Sequence, residues 1–582
     1  MTLRFRKTIS IILTAVILIT TGTSVFAADA QPADNTAIIT VTNILNTVIS
    51  GAFRLLCSAF PKSDIPALEE YESKNFYTGT DEFLDTPAQD AVWSLGFGQE
   101  SIVPADLADG TKAYYTGGYF TQKVDSVYDD QQVHAIAMND GSQRGTAIFA
   151  TIDGIGVGNA DIRTIRELAE KKLAEKGIES DIIAININST HCHTVVDTQG
   201  FSLNLIPQIF HNMAANLPFI NPIRSIDKTF LDVMINGAAD AIVEAYINME
   251  TGKLYYFETT GIGKNEEKGV YTQDEYSYLT NKRYDTEGFQ HFFACFKFVP
   301  DNENSKSTIF ANIGAHPTTI NRATTRLSAD FPAYIEKKIN DEGMNFMFIQ
   351  GAQSPISVRK GGVSTESVVN EVQAEIAADA TAADYSATKT LGYEFARLIL
   401  EAEKDKTEVS PLLNVKMAEC TVKLDTGLLQ LGAASQLLGF TTVTDTKSSS
   451  GYSLITEVGY VEIGTQIVML TVPGELIPQL IYGNVVDASE AYLGKDWDID
   501  CTADLIDDSK TVLVMGLCND AIGYIIPDND FAPFIADSLW GSDMGEKLFG
   551  EYHRHYEEML SAGDTSASSV MTALNALVSA VK

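Results

Sequence analysis

The spacing of apolar residues changes character along this chain, and the changes mark its elements. Between positions 35 and 60, Ile38, Val41, Leu45, Val48, Ala52, Leu55 and Leu56 recur at helical intervals, Arg54 is the one charge, and Pro61 ends the run. This predicts an amphipathic helix packed on the rest of the protein, with peripheral contact to a membrane surface as the alternative. After a polar stretch, residues 134–138 and 146–151 read as strands. Residues 162–176 read as a helix with Ile162, Ile165, Leu168 and Leu173 near one face, and residues 182–187 as a mostly apolar strand. Apolar runs of the same strand type recur at 307–313, 345–349, 466–472 and 511–515, and residues 566–581 read as a helix. Strands alternating with helices predict an α/β fold, a mixed β-sheet core covered by helices, with its ligand site at strand ends.

A chain of 582 residues, 45% apolar and 20% charged, suffices for one large folded unit with appendages. The expected division is a leader at 1–27, the helical segment at 35–61, a main domain at 75–560 and a C-terminal helix at 561–582. Arg4, Arg6 and Lys7 before the apolar run 9–19, and Ala27, Ala28 and Ala30 after it, read as an export signal. The run is shorter than the roughly 20 residues of a bilayer span, which favours the export signal over the alternative, an uncleaved anchor. The mature protein is expected outside the cytoplasmic membrane, secreted or held at it.

The net charge is −36, and a mature chain without the three basic leader residues carries about −39. Such a surface repels phosphate backbones, which excludes nucleic acid as a partner. A substrate should be neutral, cationic or bound through a metal. Six cysteines are too few and too scattered for a disulfide scaffold, although one or two bridges stay open.

Several of the apolar runs end in reactive groups. The first leads into Asn188-Ser-Thr-His191-Cys-His193-Thr194, and alternate residues of an extended segment point the same way, so both imidazoles are expected to face one cavity. Taken alone, two satisfied structural histidines explain this pair as well. The run at 307–313 ends in Gly314-Ala-His316-Pro-Thr-Thr319, and that at 345–349 in Gln350-Gly-Ala-Gln-Ser354-Pro355. The run at 466–472 ends in Pro473-Gly-Glu475, and that at 511–515 leads to Gly516-Leu-Cys-Asn519 and Gly523-Tyr524. Pro-Gly-Glu is ordinarily a turn with a solvated carboxylate, and a lone tyrosine is ordinarily packing. If the five ends converge, however, two histidines, a carboxylate and a phenol surround one ion, a mixed nitrogen and oxygen set that suits zinc.

In this order and composition the motifs resemble those of the neutral/alkaline, non-lysosomal ceramidase family, over roughly residues 114 to 558. Leu327-Ser-Ala-Asp-Phe-Pro332 and His555-Tyr-Glu-Glu558 add to the likeness. The resemblance implies a mixed α/β catalytic domain with one zinc ion held by His191, His316, Glu475 and Tyr524. It implies hydrolysis of the N-acyl bond of ceramide, or a similar lipid amide, by a zinc-activated water. His193 is then a proton carrier or oxyanion stabiliser, and Ser354 positions substrate or water. No Ser-His-Asp arrangement is visible that would make Ser354 a nucleophile.

The chain also departs from the family. His193 is followed by Thr194-Val-Val196 where the family has Ser-Gly-Pro, Ala352 replaces an acidic residue, and the long members' C-terminal immunoglobulin-like domain has no counterpart. The substrate-side arginine is matched only by region, to Arg283. Two other readings therefore stand beside the lipid amidase: a metallohydrolase for another amide or ester, such as a peptide or cell-wall fragment, and a non-catalytic binding protein of the same fold.

Overall fold

The computed structural model describes residues 35–62, 65–119, 122–201, 205–215, 219–259, 278–284, 288–358, 364–425, 427–533, 536, 541 and 555–581; the expected leader lies outside them. Strands β1 (Trp93–Ser101), β2 (Gln132–Asn139), β3 (Thr146–Ile152), β4 (Ile182–Ser189), β5 (Glu250–Glu258), β6 (Ala294–Pro300), β7 (Thr308–Ile313) and β8 (Asn345–Gln350) form one sheet. Its order is β8-β7-β6-β5-β1-β2-β3-β4, with β9 (Thr407–Val409) beside β5. A second sheet holds β10 (Leu413–Lys423), β11 (Thr442–Thr444), β12 (Tyr452–Ile463), β13 (Ile467–Thr471) and, after the short β14 (Glu475–Leu476), β15 (Thr511–Met515). The pairs β3–β4, β7–β8 and β13–β15 are parallel and the other pairings within these two sheets antiparallel, so both sheets are mixed as expected.

The apolar strands have no polar side because each sheet is covered on both faces. Ile136, Met138, Phe149, Phe310, Met347 and Ile349 of the first sheet meet Met417, Val461, Ile463, Met469 and Leu513 of the second in one cluster. The alternate residues face outward onto helices. Ile148, Ile185 and Ile187 pack on α2 (Asn159–Glu175) and α3 (Lys228–Ile247). Ile309, Phe346 and Phe348 pack on α4 (Asp330–Asp341) and α5 (Ser386–Ala402). Leu454, Val468, Leu470 and Val514 pack on α6 (Ser566–Ala580), which belongs to this core, and on the end of α1 (Asn35–Cys57) at Leu56. The result is a helix–sheet–sheet–helix stack, in which each buried Val, Leu, Ile, Phe or Met contributes roughly 1.5–3 kcal/mol.

Helix α2 forms where apolar periodicity predicts it. Ile162, Ile165, Ala169 and Leu173 are buried along one side, and Gly177, at φ +76°, supplies the left-handed residue just past its end. Helix α1 also forms, but it does not pack by its apolar stripe. Thr42 and Ser50 are buried, while Val41, Ile44, Val48 and Leu55 stay exposed. Small polar side chains allow the helix to seat closely on the short helix Gly427–Ala434, leaving the bulky ones outside. Among the described residues α1 is the helix long and apolar enough to cross a membrane, by length and composition. All six cysteines are free thiols, so the bridges left open by the sequence do not form.

The sheets are tied together by polar groups as well as by the core. Glu457, in the interior on β12, receives Arg163 at 3.0 Å, Arg166 at 2.8 Å and the Asn159 amide at 3.0 Å, all from α2. Burial opposes its charge, but Arg166 and Arg163 outweigh burial and hold the carboxyl below its usual range. Replacing Glu457 by Ala strands the Arg166 guanidinium in the interior, while Arg163 keeps Glu419, and should cost about 3–5 kcal/mol in urea denaturation at neutral pH. A depressed carboxyl stabilises the fold above its unfolded value and loses that contribution as pH falls through the folded one. The gap between wild type and variant should therefore narrow as pH drops below 4.5; a gap that does not change down to pH 3 would contradict the assignment.

Candidate metal centre

Strands β4 and β7 stand six positions apart in the larger sheet, about 29 Å on a flat sheet at about 4.8 Å per strand. The residues that follow them nevertheless touch, because the sheet curls until its two edges meet. Gln350, the last residue of edge strand β8, donates its amide to Thr190 O at 2.9 Å and to Ala315 O at 3.0 Å, and accepts from Ala315 N at 3.2 Å. One buried side chain thus joins the residue before His191 to the residue before His316. Glycines allow the backbones this close: a Cβ on Gly351 would lie 2.8 Å from Gly314 Cα. The second sheet closes on the same end, where Gly516 N donates to Gln350 O at 2.9 Å and Asn519 pairs through backbone and side chain with Ile187.

His191, His316 and Glu475 meet here, buried, with their ligand atoms all within 4.8 Å of one another. Glu475 opens β14, which runs parallel to β16 (Tyr524–Ile525) with Tyr524 as its register partner, and Glu475 N donates to Gly523 O at 2.9 Å. The two imidazoles are not brought together by strand alternation, as the sequence led one to expect. The segment is not extended, since His191 sits at φ +65°, a left-handed conformation that costs a non-glycine residue of order 1–3 kcal/mol. The local turn, not strand alternation, sets the His191 and His193 rings 4.9 Å apart and nearly perpendicular.

The hydrogen bonds of the two imidazoles define their chemistry. His191 Nδ1 lies 2.7 Å from Ile155 O, and His316 Nδ1 lies 3.0 Å from Ile356 O and 3.1 Å from Gln353 O. A backbone carbonyl can only accept, so each Nδ1 carries the proton and each neutral ring turns the lone pair of Nε2 outward. Both Nε2 atoms point at the same atom, Glu475 Oε2, at 3.2 and 3.1 Å. Lone pairs facing a carboxylate oxygen repel one another unless a cation lies among them. Without a metal a proton must serve. Although burial disfavours charge, Glu475 accordingly pushes the His191 pKa up, and the two imidazoles hold the Glu475 carboxyl well below its usual range.

The remaining expected residues fall into two groups. His193 is half-buried beside the trio, 4.9 Å from the His191 ring and 6.2 Å from that of His316. Burial first and the two neighbouring imidazoles next push its pKa well down, so it is neutral. Its two ring nitrogens, the Ser354 hydroxyl and both amide atoms of Gln353 are buried without a hydrogen-bond partner, a concentration of orphaned polar atoms that points to a bound group. Tyr524 is buried, and burial followed by the Glu475 charge keeps its phenol protonated. Arg283 is placed differently. It has no exposed surface, and its guanidinium bonds Asp530 at 2.9 Å, Glu557 at 3.2 Å and Glu558 at 2.9 Å, all carboxylates of the protein itself.

Gln350, the Ile155 carbonyl and Asp330 also shape the site, although none was expected to. The last accepts from the backbone N–H groups of Thr319 at 2.8 Å and Ile320 at 3.1 Å, pinning the loop beyond His316. A glutamine closing an apolar strand was the available signal for Gln350; a backbone carbonyl leaves none.

No protein-family model matches the chain, and no curated protein matches it. Among solved structures it is similar to neutral ceramidase from Pseudomonas aeruginosa, with a TM-score of 0.56 and 14% identity over 85% of this chain and 75% of that one. It is also similar to a ceramidase complexed with C2, with a TM-score of 0.55 and 13% identity over 84% and 75%. At such identities the likeness is one of fold: the chain has a ceramidase-like α/β architecture.

Because the Gln350 side chain orients both histidine loops, Gln350→Leu should strand the backbone groups of Thr190 and Ala315, lower stability and weaken metal binding about 10–100-fold. Chelator competition followed by elemental analysis measures this, and unchanged affinity would remove Gln350 from the site.

Proposed function

We propose that the chain is an exported, metal-dependent amide hydrolase of ceramidase type, with His191, His316, Glu475 and Tyr524 holding one zinc ion and a lipid amide as substrate. The observation that carries this reading is the meeting of two Nε2 lone pairs and one carboxylate oxygen. Zinc bonds of about 2.0–2.1 Å in a tetrahedron separate neighbouring donors by about 3.3 Å, close to the 3.1 and 3.2 Å between the Nε2 atoms and Glu475 Oε2. Tyr524, in register with Glu475, supplies its phenol oxygen as the fourth donor. The similarity to neutral ceramidase structures supports an amide bond as the target.

When bound, the ion supplies Lewis acidity at the amide carbonyl and lowers the pKa of water to about 7. The other roles fall to the chain itself. The carbonyls of Ile155, Gln353 and Ile356 fix the tautomers of the two ligand imidazoles. His193, neutral and with both nitrogens free, takes a proton from the attacking water and returns it to the leaving amine. The Ser354 hydroxyl, unpartnered and fully buried, donates to the carbonyl oxygen as negative charge develops. Arg283 acts as a positioning group, holding together Asp530, Glu558 and Glu557, the last of which bears on the Tyr524 phenol. The exposed apolar stripe of α1 suits a protein that collects its substrate at a lipid surface.

Purified protein is expected to contain about one zinc per chain. His191→Ala and Glu475→Ala should lose the metal and fatty-acid release from a fluorescent ceramide or other N-acyl lipid together. His193→Ala should keep the metal and lose about 10²–10⁴-fold in kcat. Release that persists in the metal-free variants would overturn the assignment, and turnover only of peptides or cell-wall amides would move the substrate class.

A further inference from the structure

A cavity of about 830 Å³ lies one residue layer outside the candidate centre, lined by Gly118, Tyr119, Lys123, Asp125, Arg322 and Thr325 among others. Its walls are continuations of the two histidine loops. On one side, Gly117 N donates to Val195 O at 3.3 Å and Asp197 N to Tyr115 O at 3.0 Å, tying residues 115–117 to the chain leaving His193. On the other side, Arg322 sits on the loop beyond His316 that Asp330 pins. The cavity reaches the centre through two contacts. A Cβ on Gly118 would lie 2.1 Å from His193 Nδ1, so only glycine lets that ring occupy its place, and the Tyr119 ring stands 5.3 Å from the ring of His193.

The charge of this cavity runs against that of the protein. The chain carries 77 acidic and 41 basic side chains, yet the lining holds two cations, Arg322 and Lys123, and one carboxylate, Asp125. Arg322 lies over the Tyr119 ring at 5.1 Å and Lys123 over the Tyr115 ring at 4.5 Å. Neither forms an ion pair with a carboxylate of the described residues, a state Arg322 shares with Arg54 and Arg326, whereas Arg144, Arg163, Arg166, Arg224, Arg283 and Arg397 all do. An exposed guanidinium braced on an aromatic face, with no carboxylate paired to it among the described residues and next to a reactive centre, is placed to receive an anion from outside.

We propose that this cavity is an anion subsite, and that the lipid amides turned over here carry a carboxylate or sulfonate a few bonds from the amide, seated by Arg322. The proposal rests on the hydrolase reading and narrows it from neutral ceramides to acidic N-acyl lipids. Two measurements separate the two ideas. In the first, zinc-loaded protein is given N-lauroylglycine, N-lauroyltaurine and the uncharged N-lauroylethanolamine, and kcat/KM is compared. The ratio of anionic to neutral substrate should exceed one. It should fall about ten-fold or more in Arg322→Gln, mainly through KM, and stay within about three-fold of wild type in Arg322→Lys. The taurine and glycine arms decide between sulfonate and carboxylate. In the second, calorimetry follows binding of decanesulfonate, an anionic amphiphile with no amide, below its micellar concentration. Its affinity should drop about ten-fold in Arg322→Gln and weaken with added salt. If no amide is cleaved but this dependence holds, the subsite stands and the hydrolase reading falls. A wild-type preference for the neutral amide, or decanesulfonate binding indifferent to residue 322, overturns the subsite.

Discussion

The curling of the larger sheet until its edges meet is the constraint on which the candidate centre depends. A flat sheet would hold His191 and His316 tens of ångströms apart, and no side-chain rotation could make up the difference. Closure places the C-terminal ends of β4, β7 and β8 around one point, and the Gln350 amide fixes the spacing of the two histidine loops there. Because both sheets are buried on both faces, the backbone groups exposed at these ends have only each other and the site residues to bond. That is why Gly516, Asn519 and Gln350 form cross-links between sheets at the place where the reactive side chains emerge.

Within that frame the electrostatics of the centre leave little freedom. The fold sets the tautomers of two imidazoles from behind, through backbone carbonyls, and aims both remaining lone pairs at one carboxylate oxygen. Elsewhere the interior handles charge by pairing it: Glu457 has two arginines, and Arg283 has three carboxylates. At the centre a carboxylate and two imidazole nitrogens converge with no lysine or arginine paired to them among the described residues, while orphaned donors and acceptors gather beside them on His193, Gln353 and Ser354. The same physical rule, that buried charge must be matched, explains the pairing in one place and the demand for a cation in the other.

The exterior shows a comparable division. An acidic surface keeps most anions away, but the mouth beside His193 presents unpaired basic groups, and the N-terminal helix presents an apolar stripe. A surface built in this way favours ligands with an apolar part and a compact anionic part.

Much of the architecture was legible from apolar periodicity. Strands at 182–187, 307–313, 345–349, 466–472 and 511–515 and the helices at 162–176 and 566–581 appear within a few residues of where the pattern puts them, because burial on both faces leaves an unmistakable apolar run. Strands β10 and β12 were not legible, since polar residues interrupt their runs; on β12 the interior Glu457 is tolerated only because Asn159, Arg163 and Arg166 arrive from α2. The sequence by itself determined which residue types stand at the strand ends, since that depends only on local order along the chain. The tertiary structure alone decided that these ends meet, which face of α1 is buried, and that Arg283 is enclosed while Arg322 stays open, because each outcome depends on contacts between segments far apart in sequence.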